Sequence, residues 1–189
     1  MLRRWREETV TWVEAEYGCR QWSLMPFDED GYARWIENRW TVMAALTPDG
    51  EPVATSTLTP HADPGFWTAE QLAVPAAYLR KSTVSRAFAG RGLGSCLRSW
   101  MVSCAARQGA EVVRANCWTD NAALLAYHLR QGWKHVGTVT VDTAGVLLEV
   151  RAVARDDLPV HTQGEVFLAS GLPLNRTSRD RNPGTPSQY

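Results

Sequence analysis

The feature that most constrains the fold of this chain is an alternation of strand and helix patterns between Ala77 and Val153. Runs rich in β-branched and apolar residues predict strands, and apolar residues spaced three or four apart predict the helices between them. The predicted strands are Ala77 to Val84, Val112 to Trp118, Val136 to Val141 and Val146 to Val153. This order predicts an α/β domain with a mixed sheet and helices packed against it.

Two helices fill the gaps between the first three of these strands. The first begins near Leu93, after a glycine-rich turn, and ends near Gly109. The second is capped by Thr119 or Asp120 and ends at Gly132, because small polar residues favour helix starts and glycine favours helix ends.

The segment ahead of this alternation predicts two further helices and a hairpin. The helices run from Leu2 to Tyr17 and from after Asp28 to about Arg39. Strands at Thr41 to Leu46 and Pro52 to Leu58 flank an Asp-Gly turn, which is typical of a hairpin. Prolines and glycines between Thr59 and Pro75 predict a surface loop.

The length of 189 residues indicates one domain with a tail, since domains average about 150 residues. We assign residues 1–154 to the domain and 155–189 to a C-terminal tail. Within that tail EVFLAS can dock, whereas the Pro, Gly, Ser and charged residues of the last stretch predict disorder.

Composition excludes several classes of function. Twenty Lys and Arg balance twenty Asp and Glu, so no basic surface is predicted for nucleic acid. No apolar run reaches the roughly 18 residues of a membrane span, and the charged start MLRRWREETV is unlike a secretion signal, so we expect a cytoplasmic protein. The four cysteines form no CxxC pair and no cluster with His, which indicates reduced thiols and no metal site.

The stretch VSRAFAGRGLGS, from Val84 to Ser95, carries the most chemical information. Gly90, Gly92 and Gly94 let the backbone approach a ligand, and the helix that follows presents unpaired N–H groups to an anion. The turn lacks the lysine of a P-loop and the spacing of a dinucleotide fingerprint. It therefore predicts a diphosphate cradle without phosphoryl or hydride transfer.

These residues resemble the GNAT superfamily of N-acetyltransferases, which move acetyl groups from acetyl-CoA to amines. The family fingerprint is Arg or Gln, two residues, Gly, one residue, then Gly or Ala, and it falls on Ala89, Gly92 and Gly94. Ala89 departs from it because alanine offers no polar side chain. A second similar segment is NAALLAYHLRQGW, residues 121–133.

The resemblance implies a central, mostly antiparallel, twisted sheet whose central strands splay apart. It also implies acetyl-CoA as co-substrate, with no metal. The family's first strand is absent from the predicted elements, since a helix from Leu2 opens them. The implied cofactor-binding residues are Ser82, Thr83, Val84, Ala89, Gly90, Arg91, Gly92, Leu93, Gly94, Ser95 and Asn121, with Arg86 as a further phosphate partner.

In the family a tyrosine seven residues after the asparagine is thought to protonate the departing CoA thiolate. That position is His128 here, and Tyr127 stands immediately before it. One residue along a helix is a turn of about 100°, so the two side chains point in different directions. His128 matches the spacing and imidazole titrates near neutral pH, whereas Tyr127 retains the phenol; both stay candidates for the catalytic acid.

An attacking amine must also lose a proton, for which Glu70 and Asp120 are the carboxylate candidates. Glu70 precedes the central strands, and Asp120 is also a candidate helix cap. Trp22, Trp67 and Tyr78 are hypothetical lining of the acceptor pocket, because aromatic side chains can enclose an apolar amine. Ordinary core packing is the alternative for all three.

We therefore predict an acetyl-CoA-dependent N-acetyltransferase that acts on a small-molecule amine. The alternative is a catalytically impaired CoA-binding sensor or assembly module, suggested by Ala89 and by the displaced tyrosine. Acylation of a protein amino group is a third interpretation. A bare sheet edge favours association, so a homodimer is considered, and EVFLAS from the same chain or from a partner chain is expected to help cover that side of the domain.

Overall fold

The computed structural model describes residues 1–22, 28–37, 41–45, 51–141 and 143–158. Its helices are α1 (Leu2–Tyr17), α2 (Glu29–Glu37), α3 (Ala69–Ala73), α4 (Leu93–Arg107) and α5 (Ala122–Arg130). Its strands are β1 (Thr41–Ala45), β2 (Pro52–Thr59), β3 (Ala76–Val84), β4 (Val112–Trp118), β5 (Lys134–Val141) and β6 (Thr143–Arg151). Among the described helices, none is long and apolar enough to cross a membrane.

The strands form one six-stranded sheet in the order β1-β2-β3-β4-β6-β5. Only β3 and β4 run parallel, and every other neighbouring pair is antiparallel. A parallel pair needs a crossover, which α4 provides between the two strands. The predicted mixed, mostly antiparallel sheet with flanking helices is confirmed.

The two parallel strands separate soon after they begin. Residues 76–78 of β3 pair with residues 112–114 of β4, and no pairing between these strands is described beyond Tyr78 and Arg114. Both strands run in the same direction, so a gap opens between their carboxyl ends in the middle of the sheet. The glycine-rich turn follows β3 and the start of α5 follows β4, which places both at the mouth of this gap.

Helix α4 covers one face of the sheet. Its apolar side chains enter a buried cluster with residues of β2, β3, β4 and β6, including Met101, Ala77, Val113 and Leu148. A second buried cluster contains Trp67, Tyr78 and Leu147, since alternate residues of a strand point to opposite faces. The sheet is therefore buried on both sides around the parallel pair.

Two local predictions differ from the structure. The predicted loop 59–75 contains the short helix α3, which Thr68 begins with a reciprocal cap to Gln71. Helix α5 is capped by Asn121, whose Oδ1 accepts a hydrogen bond from the Leu124 amide at 3.1 Å, and not by Thr119 or Asp120.

The ends of the described chain bear on the predicted domain limits. Helix α1 precedes all described strands, and β1 at the sheet edge pairs only with β2 within the described chain. The first tail residues dock on α4, where the Ser103 hydroxyl accepts a hydrogen bond from the Arg155 amide at 2.9 Å. The hairpin turn at residues 46–50 and the EVFLAS segment at 165–170 lie outside the described residues.

Candidate active site

The glycine-rich turn holds the conformation that its sequence demands. After a single 3₁₀ turn at Arg86–Phe88, Gly90 and Gly92 take φ values of 76° and 77°, in the left-handed region that glycine tolerates. A Cβ added at either glycine would meet no protein atom within 4 Å. The backbone, and not a crowding side chain, requires these glycines, and the space before the turn is open.

Helix α4 begins in this turn without a side-chain cap. Gly92 is its N-cap and supplies no side chain, and the first intrahelical bond runs from the Cys96 amide to the Gly92 carbonyl at 3.0 Å. The amides of Leu93, Gly94 and Ser95 precede that bond, so they have no intrahelical acceptor. Together with the helix dipole they make this end of α4 favourable for an anion.

Strand β3 carries a bulge just before this turn, a feature that sequence analysis missed. Thr55 pairs with Thr83 and Thr57 pairs with Arg80, so two residues of β3 stand opposite one residue of β2. Lys81 lies in the bulge with a φ of 51°. Such a φ is uncommon for lysine, and no local pattern in the sequence signals it.

Lys81 directs its ammonium group toward α2. Its Nζ lies 5.6 Å from the centre of the Trp35 ring. Burial, Arg80 and Arg34 lower the pKa of Lys81, in that order. The bulge therefore turns a lysine toward α2 in the part of β3 that has parted from β4.

The predicted pantetheine-binding residues occupy the last part of β3. The Ser82 hydroxyl shares a 2.7 Å hydrogen bond with Ser56 across the bulge. Thr83 is buried and its hydroxyl has no hydrogen-bond partner among the described residues. Val84 ends the strand against Gly94. These three residues line the β3 side of the gap, in continuity with the glycine turn.

The structure brings Tyr127 to the glycine turn. A Cβ added at Gly94 would lie 3.3 Å from the Tyr127 hydroxyl oxygen and 3.4 Å from Val84 Cγ2. A side chain at position 94 would therefore crowd the Tyr127 hydroxyl. The Tyr127 hydroxyl makes no hydrogen bond within the described part of the chain, and its oxygen is not fully buried. Its proton is available at the turn.

His128 occupies a different environment one residue later. Its side chain is 4% exposed and its ring packs edge-on against Trp133, with 5.1 Å between ring centres. Burial first, and then the charge of Arg98, lower the pKa of His128 to about 3. The imidazole is therefore neutral near pH 7, which removes the near-neutral titration that favoured it as an acid.

The arginines of the turn differ in their contacts. The guanidinium of Arg86 stacks on Trp12 of α1, with its Cζ 3.8 Å from the ring centre. Arg91 is exposed and lies over Phe88, at 5.1 Å. Arg91 can therefore swing to a phosphate, whereas Arg86 is held against α1. Ala89, exposed between them, offers only its backbone.

Asn121, a predicted cofactor ligand, uses both of its polar groups inside the protein. Its Oδ1 caps α5, and its Nδ2 donates to Gln21 Oε1 at 2.7 Å. Gln21 also accepts from the Trp118 amide at 3.4 Å, at the end of β4. Asp120 beside it accepts a hydrogen bond from the Cys19 thiol at 3.3 Å. These contacts anchor the segment after α1 to the mouth of the gap.

Glu70, the predicted base, lies far from the glycine turn along β3. It is exposed in the first turn of α3, ahead of the amino end of β3, whereas the turn follows the carboxyl end. Nine strand residues span roughly 27 Å. The structure therefore does not bring Glu70 together with the turn.

The predicted acceptor lining is divided between two places. Trp67 and Tyr78 are buried core residues, 7% and 2% exposed, with their ring centres 5.8 Å apart. Trp22 lies in the segment after α1, and its carbonyl accepts a hydrogen bond from Arg6. Trp67 and Tyr78 thus pack in the core, the alternative considered for them, and Trp22 remains at the α1 side.

No group of three or more metal-ligating side chains occurs within the described residues. The cysteines are free, with Cys19, Cys104 and Cys117 buried and Cys96 partly exposed. Burial raises the pKa of both Cys104 and Cys117 to about 11, so these two thiols stay protonated near neutral pH.

Comparisons with known proteins identify the family. A family model described as the acetyltransferase (GNAT) family matches residues 4–133. This match covers more than half of the chain, and the chain therefore belongs to the GNAT acetyltransferase family. That family uses acetyl-CoA as its acetyl donor. Comparison with curated protein sequences gives no match.

Solved structures show the same fold at low sequence identity. A GNAT-family acetyltransferase from Listeria monocytogenes 4b F2365 is 20% identical with a TM-score of 0.60, covering 79% of this chain and 87% of that chain. A GNAT-family acetyltransferase from Streptococcus agalactiae 2603 is 17% identical with a TM-score of 0.58, over 79% and 87% of the two chains. A ribosomal-protein-alanine N-acetyltransferase from Brucella melitensis is 19% identical with a TM-score of 0.53, over 79% and 93%.

Proposed function

We propose that this protein transfers an acetyl group from acetyl-CoA to the primary amine of a small molecule. The observation that carries the proposal is the uncapped start of α4 at Gly92, open to solvent and in contact with the Tyr127 hydroxyl through Gly94. An anion site and a proton donor thus meet at the mouth of the gap between β3 and β4. Acyl transfer from a thioester that carries a diphosphate needs both.

The turn fits the diphosphate of acetyl-CoA. The amides from Gly90 to Ser95 supply hydrogen-bond donors, and Arg91 is exposed beside them. A charged phosphate gains from the positive end of the α4 dipole without any lysine. Binding here is therefore expected to depend on the backbone of the turn and not on a side chain at position 89.

The pantetheine arm would follow the free side of β3 past Ser82, Thr83 and Val84. Strand separation leaves that side without a β4 neighbour beyond Tyr78. An extended arm can use main-chain hydrogen bonds there, as an added strand does. Its thioester would then lie in the gap, near the bulge at Lys81.

In the reaction the neutral amine nitrogen attacks the thioester carbonyl carbon, and a new C–N bond replaces the C–S bond. The sulfur leaves as a thiolate and takes a proton from the Tyr127 hydroxyl. The amine nitrogen releases one proton to water, which then restores the phenol. Tyr127 is favoured over His128 because its hydroxyl is free at the turn, whereas His128 is buried and neutral near pH 7.

Two variants test this assignment. Tyr127→Phe should lower kcat about 100-fold, within the usual range for losing a general acid. His128→Phe should retain most of the activity, because a buried neutral ring is replaced by another ring. Release of free thiol from acetyl-CoA with a panel of amines measures both. A loss confined to His128→Phe would reverse the assignment.

The same assay addresses the acceptor and the competing functions. The balanced charge of the chain favours a small amine over strongly basic protein segments. We expect small amines to support turnover, and peptides with free N-termini neither to replace them nor to compete. Binding of acetyl-CoA without turnover for any amine or peptide would favour the sensor function.

A further inference from the structure

Arg98 is a buried cation without a carboxylate partner in the part of the chain that the structure describes. It lies in the second turn of α4 and is 7% exposed. None of the ion pairs among the described residues includes it. An uncompensated charge in the interior is costly, so such a residue requires a reason beyond packing.

Its ring contact and its side-chain hydrogen bond both connect it to α5. The Arg98 Cζ lies 4.7 Å from the centre of the Tyr127 ring, within the range of a cation–π contact. Its Nη1 donates to Gln131 Oε1 at 3.2 Å, and its Nε has no hydrogen-bond partner in the described chain. Gln131 is the C-cap of α5, where the helix dipole is negative. Arg98 is thus fixed between the Tyr127 ring and the end of α5.

A second contact fixes the same geometry from the start of α4. The Ser95 hydroxyl donates to Gln131 Oε1 at 3.1 Å, so one amide oxygen receives both Ser95 and Arg98. Gly94 lies between these elements, against the Tyr127 hydroxyl. Helices α4 and α5 are therefore tied where the anion site and the phenol meet.

We propose that Arg98 is a positioning residue for Tyr127, holding the phenol ring by its cation so that the hydroxyl stays beside Gly94. This inference rests on the proposed role of Tyr127 as the acid. The charge itself faces the ring and does not touch the turn. Loss of the charge should therefore reduce the chemical step and leave acetyl-CoA binding nearly unchanged.

A purely structural contact between α4 and α5 would behave differently. Its removal would lower the free energy of unfolding, whatever residue stands at position 127. Replacing a buried charge by an apolar side chain of similar length is often neutral or stabilising. Arg98→Met is therefore expected to preserve the melting temperature while kcat falls about tenfold, the effect of losing a desolvated cation–π contact. Arg98→Lys, which keeps the cation, should recover most of kcat.

The decisive experiment is a double-mutant cycle between Arg98→Met and Tyr127→Phe, using the amine that gives the fastest thiol release. If Arg98 acts through the Tyr127 hydroxyl, Arg98→Met should change kcat less than about twofold once that hydroxyl is absent. An equal loss of kcat from Arg98→Met in the wild type and in Tyr127→Phe would overturn the proposal. So would the absence of any loss from Arg98→Met in the wild type. If Tyr127→Phe alone leaves kcat unchanged, the acid assignment fails first, and the two failures are thereby distinguished.

Two further variants complete the design. Arg107→Met removes an exposed charge from the same helix, where Arg107 pairs with Asp156. It should leave kcat unchanged, and a tenfold loss there would show that charge on α4 acts at a distance, against the proposal. Arg98→Gln keeps a donor for Gln131 without the charge, and it replaces Arg98→Met in the cycle if that variant does not fold.

Discussion

Two buried arginines, on opposite faces of the sheet, show how differently this molecule handles an interior charge. Arg114 on β4 is 1% exposed and donates to Glu149 Oε2 at 2.9 Å and to the Gln71 carbonyl at 2.7 Å, with Trp67 4.8 Å from its guanidinium. Arg98 on α4 donates to the side-chain oxygen of Gln131 and lies over the Tyr127 ring, and it contacts no carboxylate within the described residues.

The difference follows the position of each arginine relative to the gap between β3 and β4. Arg114 lies in the paired part of the two strands, where it joins α3 to the sheet. Arg98 lies beside Tyr127, whose hydroxyl reaches the glycine turn. A fully paired charge serves the fold, whereas the incompletely paired Arg98 adjoins Tyr127, the side chain that we propose as the acid. Substitutions at the two arginines should separate these two roles.

The largest effect is expected on stability, at Arg114. Arg114→Met should lower the free energy of unfolding by about 3 kcal/mol, because it leaves the Glu149 carboxylate without its arginine donor and the Gln71 carbonyl with only the Val74 amide. Urea denaturation measures this loss. Arg98→Met is the matched control and should show no comparable loss. Equal losses at both arginines would contradict the distinction.

The next effect concerns pH and His128, the imidazole beside Arg98. Its folded pKa of about 3 lies below the ordinary value of 6.5, so between these values the unfolded chain binds a proton that the folded chain does not. Stability should therefore fall as pH decreases from about 6.5 toward 3, by about 2 kcal/mol at pH 5.

Comparison of the wild type with His128→Phe at pH 7 and pH 5 isolates this contribution from that of the carboxylates. The variant should lose about 2 kcal/mol less than the wild type on acidification. Arg98→Met should also reduce the pH dependence, since Arg98 is the second cause of the lowered pKa. Identical pH dependence in the wild type and His128→Phe would show that His128 does not stay neutral.

The smallest effects are expected at the glycines of the turn. Gly94→Ala places a Cβ 3.3 Å from the Tyr127 hydroxyl, which should displace the phenol and lower kcat about fivefold, or about 1 kcal/mol. Gly92→Ala meets no neighbour but must adopt a φ of 77°, at a cost of about 1 kcal/mol in stability. Steady-state kinetics and urea denaturation should therefore rank the two variants in opposite orders. The same order in both measurements would contradict the roles given to the two glycines.

Sequence predicted the parts of this fold that rest on local signals. The glycines of the turn and the apolar spacing of α4 are local, and so are the alternating strand patterns of the mixed sheet. Helix α3 was missed although its signal was present, since Thr68 and Gln71 have the spacing of a reciprocal cap. The prolines and glycines around it favour a loop and obscure this short helix signal.

The rest depended on contacts between distant residues. Thr119, Asp120 and Asn121 are all good caps, and the contact of Asn121 with Gln21, 100 residues earlier, accompanies the choice among them. The bulge at Lys81 follows from the register of β3 against β2. Spacing alone could not show which of Tyr127 and His128 lies beside Gly94, because that depends on how α5 packs against the start of α4.

The most direct test of the account is calorimetric comparison of acetyl-CoA with acetyl-pantetheine, which carries the same thioester without the nucleotide and its diphosphate. If the uncapped start of α4 holds the diphosphate, acetyl-CoA should bind measurably and acetyl-pantetheine at least tenfold more weakly, because about 1.4 kcal/mol or more would be lost with the phosphates. Equal affinities, or no heat with millimolar acetyl-CoA, would contradict it.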